Sequence, residues 1–391
     1  MNLHEFQAKD ILVGYGLPVP AGAIAETADD AVAVARKIAA ARFAVKAQVH
    51  AGGRGRAGGV RMVDTYDAVR AAAAELLGTR LVTEQTGAEG RTVGKVYVEA
   101  AVEAEQVLYV AVLVNRDQGA VALIGAKAGG EDIEERAARN PGIIEEMLLA
   151  PDGSGRVADF NDFARRLGLK GNVAKEAGVL FKSLATAFVE LDASLIEINP
   201  LAITANDDLL ALDVKMIIDD NALFRHADLD GLRDVDELDP VELKAQESEI
   251  NYVQMDGDIG VVVNGAGLAL ATLDLLRDAG GVPANFMDIR TTATSLDIAR
   301  GFDLLLENEN VRAVLVNVHG GGLQRCDTVA EGIGISMKRS GRARPIVLRF
   351  AGNNADYGRT LLGNYGVAYT QADDMADAVD RVTALVRQEA A

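Results

Sequence analysis

The sequence predicts a two-domain α/β protein: a mixed N-terminal domain over residues 1–237 and a doubly wound parallel sheet over 238–391. Three observations carry that expectation. Up to about residue 237, short helical patterns alternate with strand pairs that read as antiparallel. The segment "RDVDELDPVELKAQESE" (233–249) is polar and contains Pro240, the composition of a boundary. Beyond it the pattern changes to strand, glycine-containing loop, helix, repeated; near-continuous apolar strands of this kind belong to a buried parallel sheet.

Taken in order, residues 3 to 13 carry apolar positions at Leu3, Phe6 and Ile11-Leu12-Val13, a helix stopped by Gly14 and Gly16. Thr27 with Asp30 resembles a capping box ahead of "AVAVARKIAA". "FAVKAQV" and "GVRMV" read as strands around a glycine-rich stretch, and "VLYVAVLV" and "AVALIGA" flank "NRDQG", a hairpin signature. In the second half the units are "DIGVVV" then NGAG, "ANFMD" then IRTTAT, "VRAVLVNV" then HGGG, "RPIVLRF" then AGNN, and "VAYT" before a last helix. Ligands of such sheets bind beyond the carboxyl ends of the strands, where Asn264, the 288–294 loop, the 319–322 loop and 351–354 fall.

Composition narrows the function classes. At 391 residues, two or three domains are expected. No apolar run approaches the ~18 residues of a membrane span. The start, MNLHEFQAKD, lacks the apolar region of a secretion signal, and a single cysteine excludes an intrachain disulfide framework; both fit the cytoplasm. With 39 basic against 58 acidic residues, the net charge of −19 opposes nucleic acid and anionic membranes as partners. Any bound anion must be held by backbone amides and a few placed cations.

Two stretches fit that requirement. "GGRGRAGG" (52–59) contains G-x-G-x-x-G, which signals dinucleotide binding only when a helix follows; a strand-like "VRMV" follows here. It reads either as a flap whose amides close over phosphates, with Lys46 as a point charge in the preceding strand, or as a plain flexible turn. "LIEINPLAITANDDLLALDVKM" reads as a hairpin centred near Asn206, with Asn199 opposite Asp213. Alternation puts Glu197 and Asn199 on one face with Asp213 and Lys215, while Ile196, Ile198, Leu212 and Val214 point to the buried face. Two carboxylates, an amide and an ammonium suit a Mg²⁺–phosphate site or a salt-bridge ladder on a solvated face. His319 and Cys326 in "HGGGLQRCD" read as structural rather than nucleophilic, in a loop whose amides suit an anion.

The whole chain resembles the beta-subunit family of succinyl-CoA synthetase and its malate–CoA ligase relatives. "NLHEFQAKDIL", "VKAQVHAGGRGRAGG", "LIEINPLAIT", "LALDVKM", "DDNALFR", "VNGAGLA", "AVLVNV", "RCD" and "GNNA" carry the resemblance from end to end. It implies an N-terminal ATP-grasp domain and a C-terminal flavodoxin-like domain. It implies an acid–CoA ligase in which ATP or GTP phosphorylates a histidine on an alpha subunit, the phosphoryl group passes to a carboxylate, and CoA, held by the partner subunit, forms the thioester. None of the four histidines here matches that histidine. The assembly expected is αβ or α2β2.

Residue by residue, the resemblance assigns triphosphate contacts to Lys46, Gly53, Arg54, Gly55 and Glu99, magnesium to Asn199 and Asp213, and the acidic residue beside the phosphohistidine to Glu197. It assigns the carboxylate substrate to Asn264 and to the loop holding Gly321, Gly322 and Leu323. Three departures stand out. Arg290-Thr291-Thr292 replaces the family's glycine triplet. His319-Gly320-Gly321-Gly322-Leu323-Gln324 is one residue longer than its counterpart. Val107 and Ala128-Gly129-Gly130 stand where acidic residues are usual near the nucleotide. The first two suggest a carboxylic acid with a second polar group, Arg290 contributing; the alternatives are succinate itself and a regulatory subunit that binds nucleotide without turnover. Retention of Lys46, Glu197, Asn199 and Asp213 argues against the last.

Overall fold

A computed structural model describes residues 1–389 except 88–89, 131, 238 and 249, so two residues of the polar boundary segment lie outside the described residues. The chain divides into two compact units, Met1–Glu237 and Leu238–Ala391.

Among the described residues the first unit contains two larger antiparallel sheets and a two-stranded one, Arg80–Leu81 with Arg91–Thr92. The four-stranded sheet runs Gly22–Ala25, Lys95–Ala100, Phe43–Gln48, Val60–Val63. Helices Ala28–Ile38 and Tyr66–Leu76 cover it, starting at Thr27 and Thr65, whose side chains accept from the Asp30 and Ala68 amides. Capping of this kind contributes about 1 kcal/mol per helix. Val45, Ala47, Val96 and Val98 face those helices, so alternation puts Lys46 and Glu99 on the opposite face.

The larger sheet runs Leu209–Ala211, Ala193–Ile203, Gln106–Asn115, Ala120–Ala126, Glu145–Leu149, with Val214–Ile218 also pairing Ala193–Ile203. NRDQG is a hairpin turn: Asn115 pairs Ala120, and the Asn115 side chain accepts from the Gln118 amide. Helices Val157–Arg166 and Gly171–Glu190 bury Phe160, Phe163 and Phe181 in the core with Leu108 and Ile196. The first helix begins at Glu5, two residues later than the apolar pattern suggests, because the Leu3 amide is drawn into a bond with the Met216 carbonyl. Its stop is Gly16, at φ +85°; Gly14 remains right-handed.

The second unit is a six-stranded sheet in the order Asn251–Gln254, Asn285–Asp288, Ile259–Val263, Ala313–Gly320, Ile346–Gly352, Thr370–Gln371. Helices Ser295–Glu307, Cys326–Ser340 and Ala355–Asn364 pack on one face, and Ala266–Asp278 with Met375–Glu389 on the other. Five strands are parallel, as the repeated strand–helix pattern predicts. The sixth, Asn251–Gln254, is an antiparallel edge strand just past the 233–249 boundary, where the sequence pattern gave no strand. Strand order reverses beside Ile259–Val263, so the crevice beyond it and Ala313–Gly320 is the topological switch point. No helix among the described residues is long and apolar enough to cross a membrane.

Candidate functional site

The first unit contains a cavity of about 740 Å³ lined by Glu5, Lys46, the glycine-rich flap, Glu197, Asn199 and Asp213. The flap (52–59) joins two antiparallel strands and is followed by a strand, not a helix. Its turn is closed by bonds from the Ala57, Gly58 and Gly59 amides to the Gly53, Gly55 and Arg54 carbonyls. Gly53 lies at φ +72°, where a side chain is strained.

Beneath the flap lies a network of three cations and two glutamates, all buried, with the half-exposed Asp213 at its rim. Lys46 Nζ lies 2.9 Å from Glu5 Oε1, 2.5 Å from Glu99 Oε1 and 2.6 Å from the Leu212 carbonyl. Lys9 Nζ lies 2.8 Å from Glu5 Oε1, 2.6 Å from Glu99 Oε2 and 2.8 Å from the same carbonyl. Arg54 donates to the Ala47 carbonyl through Nη1, and its Nη2 lies 2.7 Å from both Glu5 Oε2 and Asp213 Oδ1. Burial opposes the Lys46 charge, but Glu5, Glu99 and Asp213 outweigh it and hold the ammonium above the usual lysine range. Burial likewise opposes the Glu5 charge, and Lys46, Lys9 and Arg54 outweigh it, keeping the carboxyl well below its usual range. Unpaired, any of these charges would be expensive to bury.

Leu212 corrects the expected alternation. The ladder breaks between Leu209–Ala211 and Val214–Ile218, leaving Leu212 half-buried with its carbonyl turned to Lys9 and Lys46. The hairpin still sets Asn199 against Asp213, through a 3.1 Å bond from the Asn199 amide to the Asp213 carbonyl. Glu197 pairs Lys215 across the strands. Burial, with Glu134 and Asp213 nearby, raises the Glu197 carboxyl against the pull of Lys215.

Asn199 is positioned by a contact the sequence did not reveal. Its Oδ1 accepts from the Gly130 amide at 2.7 Å and its Nδ2 donates to the Gly130 carbonyl at 3.2 Å. The adjoining Gly129 admits no Cβ, which would strike the Leu108 carbonyl. Glu5 and Lys9 were missed as well; their one sequence signal is Glu-to-Lys spacing of four on a helix. The donor set suits a hard cation: Asn199 Oδ1 keeps a lone pair, and the Asp213 carboxylate, 42% exposed, already bears a guanidinium charge. Among the described residues no group of three or more His, Cys, Asp or Glu forms a cage. These residues therefore fit magnesium that completes its shell with phosphate and water oxygens.

In the second unit, Asn264 and His319 meet at the switch point. Asn264 Nδ2 donates to the His319 carbonyl and Oδ1 accepts from its amide, each at 2.8 Å. The following loop is held by the Gly321 amide on the Gln324 carbonyl and by Asn353 Nδ2 on the Gly321 carbonyl. Gly321 and Gly322 face open space, and Leu323 is 78% exposed. Gly320 and Gly352, paired at the ends of adjacent strands, have no such room: a Cβ on Gly320 would strike the Asn353 carbonyl, and one on Gly352 the Gly320 carbonyl. Cys326 is buried, donates to the Ala351 carbonyl, and burial pushes its thiol up, which is no environment for a nucleophile. Arg290 is exposed, with Nε donating to Asn251 Oδ1 on the edge strand. That partner lies across the Asn285–Asp288 strand from the Asn264 clamp, so the expected grouping of Arg290 with the 319–324 loop is not seen.

Two sheets enclosing a cavity under a glycine flap, followed by a doubly wound domain, define the class as an ATP-grasp acid–thiol ligase. Residues 2–203 match the ATP-grasp domain family and residues 262–383 the CoA-ligase family. The chain is 42% identical to the succinate–CoA ligase [ADP-forming] subunit beta of Bordetella petrii, over 99% of this chain and 100% of that one. It is 43% identical to its namesake from Desulforapulum autotrophicum, over 99% and 100%. An ATP citrate lyase from Methanothrix soehngenii, solved with citrate and coenzyme A, shares the fold with a TM-score of 0.75 at 15% identity, covering 98% of this chain and 99% of that one. The chain belongs to the succinate–CoA ligase beta-subunit family.

Proposed function

We propose that this chain is the nucleotide-binding subunit of an acid–CoA ligase and directs the γ-phosphoryl group of ATP to a histidine of an alpha subunit. The cavity in which Lys46, the flap, Glu197, Asn199 and Asp213 converge carries this reading. Lys46 and the amides of Gly53, Arg54 and Gly55 orient the triphosphate, while Glu99, buried and absent from the cavity lining, holds Lys46 from behind instead of touching phosphate as expected. Magnesium, when bound by Asn199 and Asp213, supplies charge neutralisation, the main demand of phosphoryl transfer. Glu197 faces the incoming imidazole and, with its carboxyl raised, is suited to holding or taking a proton there. The donor is ATP, in keeping with the ADP-forming relatives. With the alpha subunit co-purified, Asp213→Ala should abolish Mg²⁺-dependent labelling of the partner by γ-labelled ATP; undiminished labelling would remove the metal assignment.

The acid substrate carries a polar group that succinate, with its two carboxylates, lacks. His319 and Gln324 in a loop with open room at Gly321 and Gly322 favour this over plain succinate, while Arg290 bonds Asn251 on the edge strand and does not join that loop. Thioester formation should be compared across succinate, malate, citrate, itaconate and sulfonated acids. A preference for succinate that Arg290→Gly leaves unaltered refutes it.

A further inference from the structure

The geometry points to Arg54 as an exchangeable counter-ion: its guanidinium pairs with Asp213, latching the flap, and gives up that carboxylate when a divalent cation takes it. This rests on the reading of Asp213 as a magnesium ligand and goes beyond it, because it couples metal capture to flap opening.

Arg54 belongs to the flap, yet its guanidinium is buried beneath it. One nitrogen, Nη2, is shared between Glu5 Oε2 and Asp213 Oδ1, each at 2.7 Å. The Arg54 carbonyl also accepts from the Gly59 amide at 2.7 Å, so its side chain and the flap turn are anchored at one residue. A second flap cation, Arg56, reaches Glu135 at 3.3 Å, but that pair is exposed on both sides and contributes little. The Asp213 contact is therefore the strong tie between the flap and the strand-edge carboxylate.

A guanidinium and a divalent cation repel on a shared carboxylate, and the repulsion is strong where solvent is scarce. Arg54 is 8% exposed. Metal at Asp213 thus expels that arm of Arg54, leaving it bonded to Glu5 and Ala47 and freeing an N–H toward the cavity. A phosphate entering with the metal meets that freed donor and the flap amides together. Metal and nucleotide should then bind cooperatively, each removing the ion partner that blocks the other.

The test uses the full chain with its alpha subunit and has two readouts independent of turnover. Free Mn²⁺ is followed by electron paramagnetic resonance without nucleotide, and amide exchange is followed in peptides spanning 50–60. Arg54→Met should tighten Mn²⁺ binding about tenfold, as expected when a competing ion pair of ordinary strength is removed. It should also speed flap exchange without any metal. Asp213→Asn should also speed flap exchange, though less than Arg54→Met because Glu5 and Ala47 still hold the guanidinium, while weakening Mn²⁺ binding. Unchanged or weaker Mn²⁺ binding in Arg54→Met, with binding still dependent on Asp213, overturns the latch and leaves the metal reading intact. Mn²⁺ binding indifferent to Asp213→Asn overturns both. If Arg54→Met does not fold, flap exchange in Asp213→Asn decides alone, and a wild-type rate there overturns the latch.

Discussion

Lys9 Nζ lies 2.6 Å from Glu99 Oε2, in an ion pair with almost no exposure on either side. It stands behind Lys46, whose three ammonium hydrogens are already given to Glu5, Glu99 and the Leu212 carbonyl. When Lys46 turns a hydrogen toward a phosphate, Lys9 is what keeps the two glutamates neutralised.

Lys9→Met should therefore destabilise the first unit by about 3–5 kcal/mol, the cost of taking one cation out of a buried network and leaving Lys46 and Arg54 to hold both glutamates. Urea unfolding measures this directly. A loss under about 1 kcal/mol would mean the network relaxes around Lys46 alone.

Acid should weaken the fold through its buried histidines. The His50 ring is packed 4.2 Å from that of His4, and burial, with the neighbouring His4, lowers its pKa from 6.5 to about 4. The unfolded chain takes up this proton near 6.5 and the folded chain only near 4, so stability is complete above 6.5 and declines as pH falls toward 4. His4 is shifted the same way, chiefly by burial. The unfolding free energy of His50→Asn should fall less steeply through this window; parallel curves for the two proteins would contradict the assignment.

Glu197→Gln should slow phosphorylation of the partner's histidine by about 10²–10⁴, the usual contribution of a positioned acid–base group. ADP affinity should be preserved, because Glu197 makes its contacts with Lys215 and Tyr109 and none with Lys46 or the flap residues. Equal losses in both would make its role one of binding.

Asn264→Ala removes two bonds to the His319 main chain. Each is worth about 1 kcal/mol, so the loop should loosen and KM for the acid rise about tenfold or more, with phosphorylation of the partner's histidine unaffected. A KM that does not move would show that the loop is fixed by Asn353 alone.

The fold was largely legible in the sequence because its signals are local. Apolar strands ending in glycine loops marked the parallel sheet, and NRDQG marked a hairpin. The Asn199–Asp213 pairing followed from counting back along a hairpin. What escaped depends on distance. Glu5 and Lys9 face Glu99 and Lys46 only because the first helix docks against two sheets. Arg54 could be read as part of a glycine-rich flap, but not as the partner of a residue 159 positions away. The edge strand Asn251–Gln254 is short and polar on one side, with only Asn285–Asp288 to pair with, so it has none of the periodicity that marks a buried strand.

Gly320 and Gly352 set a boundary on how this pocket can be remodelled. The two strand ends approach so closely that any side chain at either position would force them apart, and with them the start of the Cys326 helix. One residue further on, at Gly321, Gly322 and the exposed Leu323, the chain can change in chemistry without that penalty. A library aimed at new acid substrates should therefore leave Gly320, Gly352 and the buried Gln324 fixed and vary the three positions between Gly320 and Gln324.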